Sequence, residues 1–144
     1  MYILPVDQLE RLLACVDDAF PCEAAGLLLG RQVGRHTVLT INYMSSTDNT
    51  PLSFRIRDAD IVQVASSLKG SETNICGCFH SHVLGDARPS RADREGAKEF
   101  GNLWLIYSMR FRRLKLFRWQ GTAFTGEHFR IAPPLIARDS LSFV

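Results

Sequence analysis

The chain has 144 residues, 46% of them hydrophobic, and its 17 lysine and arginine residues stand against 15 acidic ones, a net charge of +2. These values predict one compact domain over residues 1–144 with an apolar core, and they exclude a disordered tail or a two-domain enzyme. The small net charge gives no reason to expect nucleic acid or an anionic membrane as an obligate partner.

The N-terminal residues 1–7 carry neither the basic stretch nor the apolar segment of a secretory signal, and no apolar run approaches the length of a membrane span. A cytoplasmic location is therefore expected. The four cysteines, Cys15, Cys22, Cys76 and Cys78, are too few and too clustered for a disulfide scaffold. They are expected to be reduced thiols or core residues.

The first third of the chain predicts a helix followed by two strands. Apolar residues at helical spacing favour an amphipathic helix over residues 7–20, with Asp7 as its N-cap and Pro21 as its terminator. Residues 24–30 and 37–44 are expected to form a hairpin, because a glycine-containing turn lies between them.

The rest of the sequence shows alternating extended and helical patterns, followed by a region with extended patterns alone. Residues 52–56 are expected to be extended, Asp58 to cap a helix that Gly70 ends, residues 74–82 to form a strand, and Ser90 to open a helix that ends near Gly101. Three strands follow over 103–107, 114–119 and 123–131, and residues 133–144 form a C-terminal tail. This order predicts a mixed α/β domain whose mostly antiparallel sheet is flanked by helices.

A candidate metal site lies where the 74–82 strand ends, in the segment His80-Ser81-His82. Residues two apart on a strand share a face with Cα atoms about 6.6 Å apart, so both imidazoles can turn toward one ion. Catalytic zinc commonly takes three protein ligands, and Asp93 is the best candidate for the third, one helical turn after Ser90. Each part has a plainer explanation, a capping box and a surface histidine pair, but their joint occurrence favours the site.

Two cysteines precede the histidines in the pattern Cys76-x-Cys78-x-His80-x-His82, and strand alternation places all four on one face. A structural zinc site with four such ligands is excluded by distance, because residues 76 to 82 of an extended strand span about 20 Å. The cysteines are expected to be apolar filling beneath the site.

With Glu23 upstream, this pattern resembles the JAMM or MPN-plus metalloproteases of the Mov34/MPN/PAD-1 group. The pattern of that family is a glutamate, then His-Ser/Thr-His, seven residues, Ser, two residues and Asp, and the chain meets every defined position from His80 to Asp93. One departure is Val83, where many members carry proline. The resemblance is to the small prokaryotic single-domain type, which includes sulfur-carrier (CysO-cysteine-like) peptidases, and it implies an MPN/JAB domain with a cytidine-deaminase-like architecture.

The resemblance implies a zinc metallopeptidase that hydrolyses the peptide or isopeptide bond after the C-terminal Gly-Gly of a ubiquitin-like or sulfur-carrier protein. It places one Zn²⁺ on His80, His82 and Asp93, makes Glu23 the base that moves the proton of the attacking water, and lets Ser90 donate to the oxyanion. Sulfur-carrier processing ranks first among the substrates and a broader ubiquitin-like isopeptidase second.

Other functions stay open at the level of sequence. The main alternative is a non-catalytic MPN-type protein-interaction module, although such relatives usually lack one or more of the ligands. The alternating cations and aromatics of residues 110–119 also suggest a nucleic-acid surface, but a half-exposed strand produces the same alternation. The C-terminal tail could pack on the domain or mediate a homodimer.

Overall fold

The computed structural model describes residues 1–97 and 101–134. Within these ranges the chain forms eight strands and three helices. The strands are β1 (Tyr2–Pro5), β2 (Ala25–Val33), β3 (His36–Tyr43), β4 (Thr73–His82), β5 (Leu103–Ser108), β6 (Arg113–Trp119), β7 (Phe124–Glu127) and β8 (Phe129–Ala132). The helices are α1 (Val6–Ala19), α2 (Asp58–Ser67) and α3 (Arg91–Gly96).

All eight strands belong to one sheet, in the order β7-β6-β5-β4-β2-β3-β1-β8. Four neighbouring pairs are antiparallel and three are parallel. The predicted mixed, mostly antiparallel α/β domain is confirmed. No helix in the described part of the chain is long and apolar enough to cross a bilayer.

The two outermost strands of the sheet are consecutive in the chain. His128 alone separates β7 from β8, yet β7 pairs with β6 at one end of the sheet and β8 pairs with β1 at the other. Since two residue steps span at most about 7 Å, the sheet must curl until its edges approach each other. A hydrogen bond from Arg118 on β6 to the Tyr2 hydroxyl on β1 crosses the same gap.

Each face of the sheet has its own apolar cluster. On one face, Leu12 and Val16 of α1 pack with Phe79. On the other, Leu27, Cys78 and Trp104 are joined by partly buried residues of α2 and of the loop before it. The second cluster lies beneath the end of β4, because Trp104 also contacts the ring of His80 edge-on.

A bulge in β4 changes which face its cysteines occupy. Leu28 pairs with Gly77 while the next residue, Leu29, pairs with Ile75, which leaves Cys76 as the extra residue. Cys76 therefore packs on the α1 side while Cys78 packs on the Trp104 side. The expectation that Cys76 shares a face with the histidines is wrong, because one inserted residue reverses the alternation of side chains.

Both predicted aspartate caps are also wrong. Helix α1 begins at Val6 with Pro5 at its N-cap and no side-chain cap, so Asp7 lies within its first turn. Arg57 is the N-cap of α2, and Asp58 is its first helical residue. Both acids instead lie near the positive end of the helix dipole, which favours negative charge.

Several element boundaries differ from the sequence pattern. Strand β1 was not expected, residues 52–56 form no strand of the sheet, and the single strand predicted over 123–131 is the pair β7 and β8. Helix α2 ends at Ser67, before Gly70 with its φ of 82°. The predicted end of the helix after Ser90 and most of the predicted C-terminal tail lie outside the described residues.

Candidate metal centre

Three buried polar side chains meet where β4 ends and α3 begins. His80 and His82 are the same-face pair at the end of β4, and Asp93 lies in the first turn of α3. Their exposed fractions are 1%, 7% and 4%. Buried groups of this kind are costly unless they pair with one another or bind an ion, so the fold retains them for one of those purposes.

The three side chains converge on one point. The Nε2 atoms of His80 and His82 lie 3.1 Å apart, and each is 3.1 Å from a carboxylate oxygen of Asp93. Tetrahedral zinc with bonds of about 2.0–2.1 Å requires ligand atoms roughly 3.3 Å apart. His80, His82 and Asp93 therefore match three corners of a zinc tetrahedron and leave the fourth for water or substrate.

The electrostatics of Asp93 and His80 suit the binding of a cation. Burial acts to raise the pKa of Asp93, but hydrogen bonds with His80 and His82 outweigh it and hold that pKa well below its ordinary value. Burial lowers the pKa of His80. The carboxylate is therefore ionised at neutral pH and the His80 ring favours its neutral form, which are the states that metal ligands require.

The orientation of His82 is fixed by the loop that follows it. Its Nδ1 atom lies 2.8 Å from the backbone carbonyl of Asp86, so this nitrogen carries the hydrogen and Nε2 offers its lone pair to the site. The loop is held in turn by Ser108, fully buried, whose hydroxyl donates to the Gly85 carbonyl at 2.7 Å.

His80 is oriented by packing. Its ring stacks on Phe54 with centroids 4.5 Å apart and meets Trp104 at 90°. The Nδ1 atom of His80 is buried without a hydrogen-bond partner among the described residues. Contacts with Phe54 and Trp104 therefore orient the His80 ring, as the Asp86 carbonyl orients the His82 ring.

The predicted capping box of α3 is present and coincides with the metal ligand. The Ser90 hydroxyl accepts a hydrogen bond from the Asp93 backbone N–H at 3.0 Å, and the Ser90 backbone N–H donates to Asp93 Oδ2 at 2.8 Å. The two explanations of this motif are compatible, because the cap holds the carboxylate in position while the histidines reach it. The Ser90 hydroxyl keeps its hydrogen for another acceptor.

Glu23 lies beside the cluster, held through its backbone. Its N–H donates to the Thr50 carbonyl, its carbonyl accepts from Asn49, and the next residue, Ala24, donates its N–H to the Ser81 hydroxyl at 2.8 Å. Glu23 and Asp93 line one groove of about 870 Å³, with residues 52–58 along its side. Glu23 is 5% exposed, and burial raises the pKa of its carboxyl to about 8.

The structure thus brings together all five residues singled out from the sequence. It adds three supporting groups, which are Ser81, Ser108 and the Asp86 carbonyl. Ser81 stands inside the histidine motif and could have been noticed there. Nothing in the sequence marks Ser108, because its acceptor, the Gly85 carbonyl, becomes a neighbour only through the parallel pairing of β4 with β5.

The chain also resembles known proteins in sequence and structure. Two relatives named desampylase, from Pyrococcus furiosus and Haloferax volcanii, are 27% identical over 104 residues and 29% identical over 105. Each alignment covers 72% of this chain, and 71% and 74% of the respective relative. Protein DSY2949 from Desulfitobacterium hafniense, solved in solution, superposes with a TM-score of 0.81 at 26% identity, covering 95% of this chain and 97% of that one.

The match to a protein family agrees with the ligand set. Residues 5–120 match the prokaryotic homologs of the JAB domain, and that span contains Glu23, the three candidate ligands and Ser90. The match covers most of the chain, from the end of β1 to just beyond β6. The chain therefore belongs to the prokaryotic JAB-domain family, as the pattern from Glu23 to Asp93 indicated.

Proposed function

We propose that this chain is a zinc-dependent isopeptidase or peptidase that hydrolyses the bond after the C-terminal Gly-Gly of a ubiquitin-like or sulfur-carrier protein. The observation that carries the proposal is the convergence of three ligand atoms about 3.1 Å apart, beside a buried glutamate in the same groove. Hydrolysis by a metalloenzyme is supported by this arrangement together with membership of the family.

The proposed roles follow from the position of each group. When bound, a zinc ion supplies Lewis-acid activation of a water molecule near neutral pH. Glu23 accepts the proton of the attacking water and passes it to the departing amine. Ser90, whose hydroxyl hydrogen is not used by the cap, donates to the oxyanion of the tetrahedral intermediate, a contact whose loss costs about 10²–10³ in rate.

The pKa of Glu23 fits this role once a cation is present. In the metal-free protein its carboxyl is largely protonated at neutral pH, because burial holds the pKa at about 8. A cation held by His80, His82 and Asp93 would favour the carboxylate form of Glu23 and lower its pKa. Metal binding would therefore favour the ionised form of Glu23, which is the form that a general base requires.

The groove offers room for an extended peptide beside the cluster. Its volume of about 870 Å³ lies between residues 52–58 on one side and Ala92, Asp93 and Gly96 of α3 on the other. A C-terminal tail that ends in two glycines presents little side-chain bulk to the ligands. The relatives named desampylase, a name that refers to removal of a ubiquitin-like modifier, support an isopeptidase of this kind.

The proposal is tested with a panel of ubiquitin-like and sulfur-carrier proteins. Each carries a peptide extension, a single amino acid or a lysine-linked protein after Gly-Gly, and cleavage is followed by mass spectrometry. We expect cleavage at Gly-Gly that chelation abolishes and that zinc restores. Glu23→Ala should lose at least about a hundredfold in rate, while Glu10→Ala, an exposed control on α1, should keep the wild-type rate.

Two outcomes would contradict this proposal. Cleavage that survives both chelation and Glu23→Ala would refute the mechanism. A protein that takes up no zinc after careful purification and supplementation would favour the non-catalytic interaction module. The relative rates across the panel rank the sulfur carriers against the other modifiers.

A further inference from the structure

An arginine cluster lies on the surface beside the metal centre, formed by Arg88, Arg110 and Arg113 around Asp86 and Phe111. The Arg88 and Arg113 guanidinium groups lie 3.8 Å and 3.6 Å from the same Asp86 carboxylate oxygen. The Arg110 and Arg113 guanidinium carbons lie 5.2 Å and 5.8 Å from the centre of the Phe111 ring. These contacts make the five residues one continuous surface.

This arginine cluster is attached to the metal centre through the backbone. The carbonyl of Asp86 is the group that orients His82, at 2.8 Å from its Nδ1. Ser108 donates to the Gly85 carbonyl and accepts from the Phe111 N–H at 3.1 Å, so one buried hydroxyl joins the two loops of the cluster. A partner bound to the cluster would therefore be held at a fixed distance from the metal.

The cluster is exposed and carries excess positive charge. The Arg88 and Arg113 side chains are 76% and 55% exposed, and Phe111 is 47% exposed. One carboxylate is shared by the guanidinium groups of Arg88 and Arg113, at distances longer than those of a well-formed ion pair, and Arg110 adds a third positive charge beside Phe111. The guanidinium groups thus keep N–H donors for another anion, beside an aromatic ring of the kind enriched in protein interfaces.

We propose that the arginine cluster binds an acidic segment of the protein that is released as the amine component when the bond after Gly-Gly is cut. This inference rests on the proposed function. The groove is lined by Glu23 and Asp93 of the metal centre, whereas the arginine cluster is linked to the metal centre by the Asp86 carbonyl, which orients His82. If the modifier tail binds in the groove, the arginine cluster stays available to the protein on the amine side of the bond that is cut.

The composition of the arginine cluster favours a protein over nucleic acid. A phosphate backbone is bound by many cations along its length, while here two of the three arginines share one carboxylate. The net charge of the whole chain is only +2. An acidic peptide can place one or two carboxylates on Arg110 and Arg113 and an apolar side chain on Phe111, which suits a small mixed surface.

The test compares two substrates with the same modifier and leaving peptides of equal length, one rich in glutamate and one with glutamine at the same positions. For the zinc-loaded protein we expect kcat/KM to be about tenfold higher for the acidic peptide at low salt, and the difference to shrink to about twofold at high salt. The double variant Arg110→Glu/Arg113→Glu should lose the preference. The control Arg35→Glu, an exposed site between β2 and β3, should keep it.

Each result decides for or against the inference. Equal rates for the two peptides with wild-type protein, or a preference that the double variant retains, would overturn it. Thermal melting and zinc content establish whether the double variant is folded, and the salt dependence of the wild type needs no variant.

A binding measurement separates this inference from the proposed function. If the loaded protein cuts neither substrate, the proposed function fails. The cluster is then judged by fluorescence anisotropy with the labelled acidic peptide alone. Salt-sensitive binding that Arg110→Glu/Arg113→Glu weakens about tenfold supports the surface. No such binding, or tighter binding of duplex DNA, overturns it.

Discussion

Replacing Ser81 with alanine should weaken both the fold and the site, because its hydroxyl joins the strand of the histidines to the segment of Glu23. Ser81 is fully buried and accepts the Ala24 N–H at 2.8 Å, and its own N–H donates to the Ala24 carbonyl at 2.9 Å. The substitution removes only the first of these bonds. The Ala24 N–H is then buried with no acceptor, since Ala24 is also fully buried.

The magnitude follows from the cost of that unsatisfied donor. A buried N–H that loses its partner costs about 1–3 kcal/mol. An entropy of unfolding of about 2.1 cal/mol/K per residue gives about 0.3 kcal/mol/K for 144 residues. A loss of about 2 kcal/mol therefore lowers the melting temperature by about 7 °C. Because Glu23 adjoins Ala24, kcat/KM should also fall, by about tenfold or more.

The assay is urea unfolding of the zinc-free protein, with Ser67→Ala as the matched control. The Ser67 hydroxyl is also hydrogen-bonded, to the Val64 carbonyl at 2.7 Å, but it is exposed. Its removal should cost less than about 0.5 kcal/mol because water replaces the lost bond. Equal midpoints for Ser81→Ala and Ser67→Ala, at unchanged slope, would refute the reasoning.

Three further predictions concern the ligands, the glutamate and the core. Asp93→Asn should lower zinc affinity more than about a hundredfold, whereas Cys78→Ser should still bind one zinc, as measured by competition with a chromogenic chelator. Loss of zinc binding in Cys78→Ser would show that this cysteine is a ligand. Burial raises the pKa of Glu23 from 4.5 to about 8, so its contribution to the stability of the zinc-free protein is full below about pH 4.5 and is lost progressively up to about pH 8. Glu23→Gln removes this loss, so the variant should gain a few kcal/mol relative to wild type between pH 5 and pH 8 in urea unfolding, and parallel pH profiles would contradict it. Gly77→Ala should cost more than about 3 kcal/mol, because the new methyl would overlap the Leu103 carbonyl, whereas Gly126→Ala, with open space around it, should cost less than about 0.5 kcal/mol by thermal melting.

The three candidate ligands could be predicted because they lie close to one another in the sequence. His80 and His82 need only the two-residue period of a strand, and Asp93 needs only the cap that Ser90 begins. Glu23 came from the family pattern, and it lines the groove that also contains Asp93. The roles of these residues remain predictions until the variants are measured.

The features that the sequence did not predict depend on neighbours that are distant in the chain. Strand β1 has four residues and ends in Pro5, too short for its own pattern, and it exists because β3 and β8 lie on either side of it. The bulge at Cys76 is visible only in the register of β4 against β2. The extended pattern predicted over 123–131 continues through His128, and it is divided into two strands only because β7 pairs with β6 and β8 pairs with β1.

The position of β8 has a consequence for synthesis of the chain on the ribosome. Strand β1 is made before the other elements of this domain, yet one of its two partners ends at Ala132. At about 5–20 residues per second, roughly 6–25 s separate the two strands. All residues of the metal centre, the last of which is Asp93, are made during this interval. A nascent chain can therefore bring its zinc ligands together before β8 has been made and has paired with β1.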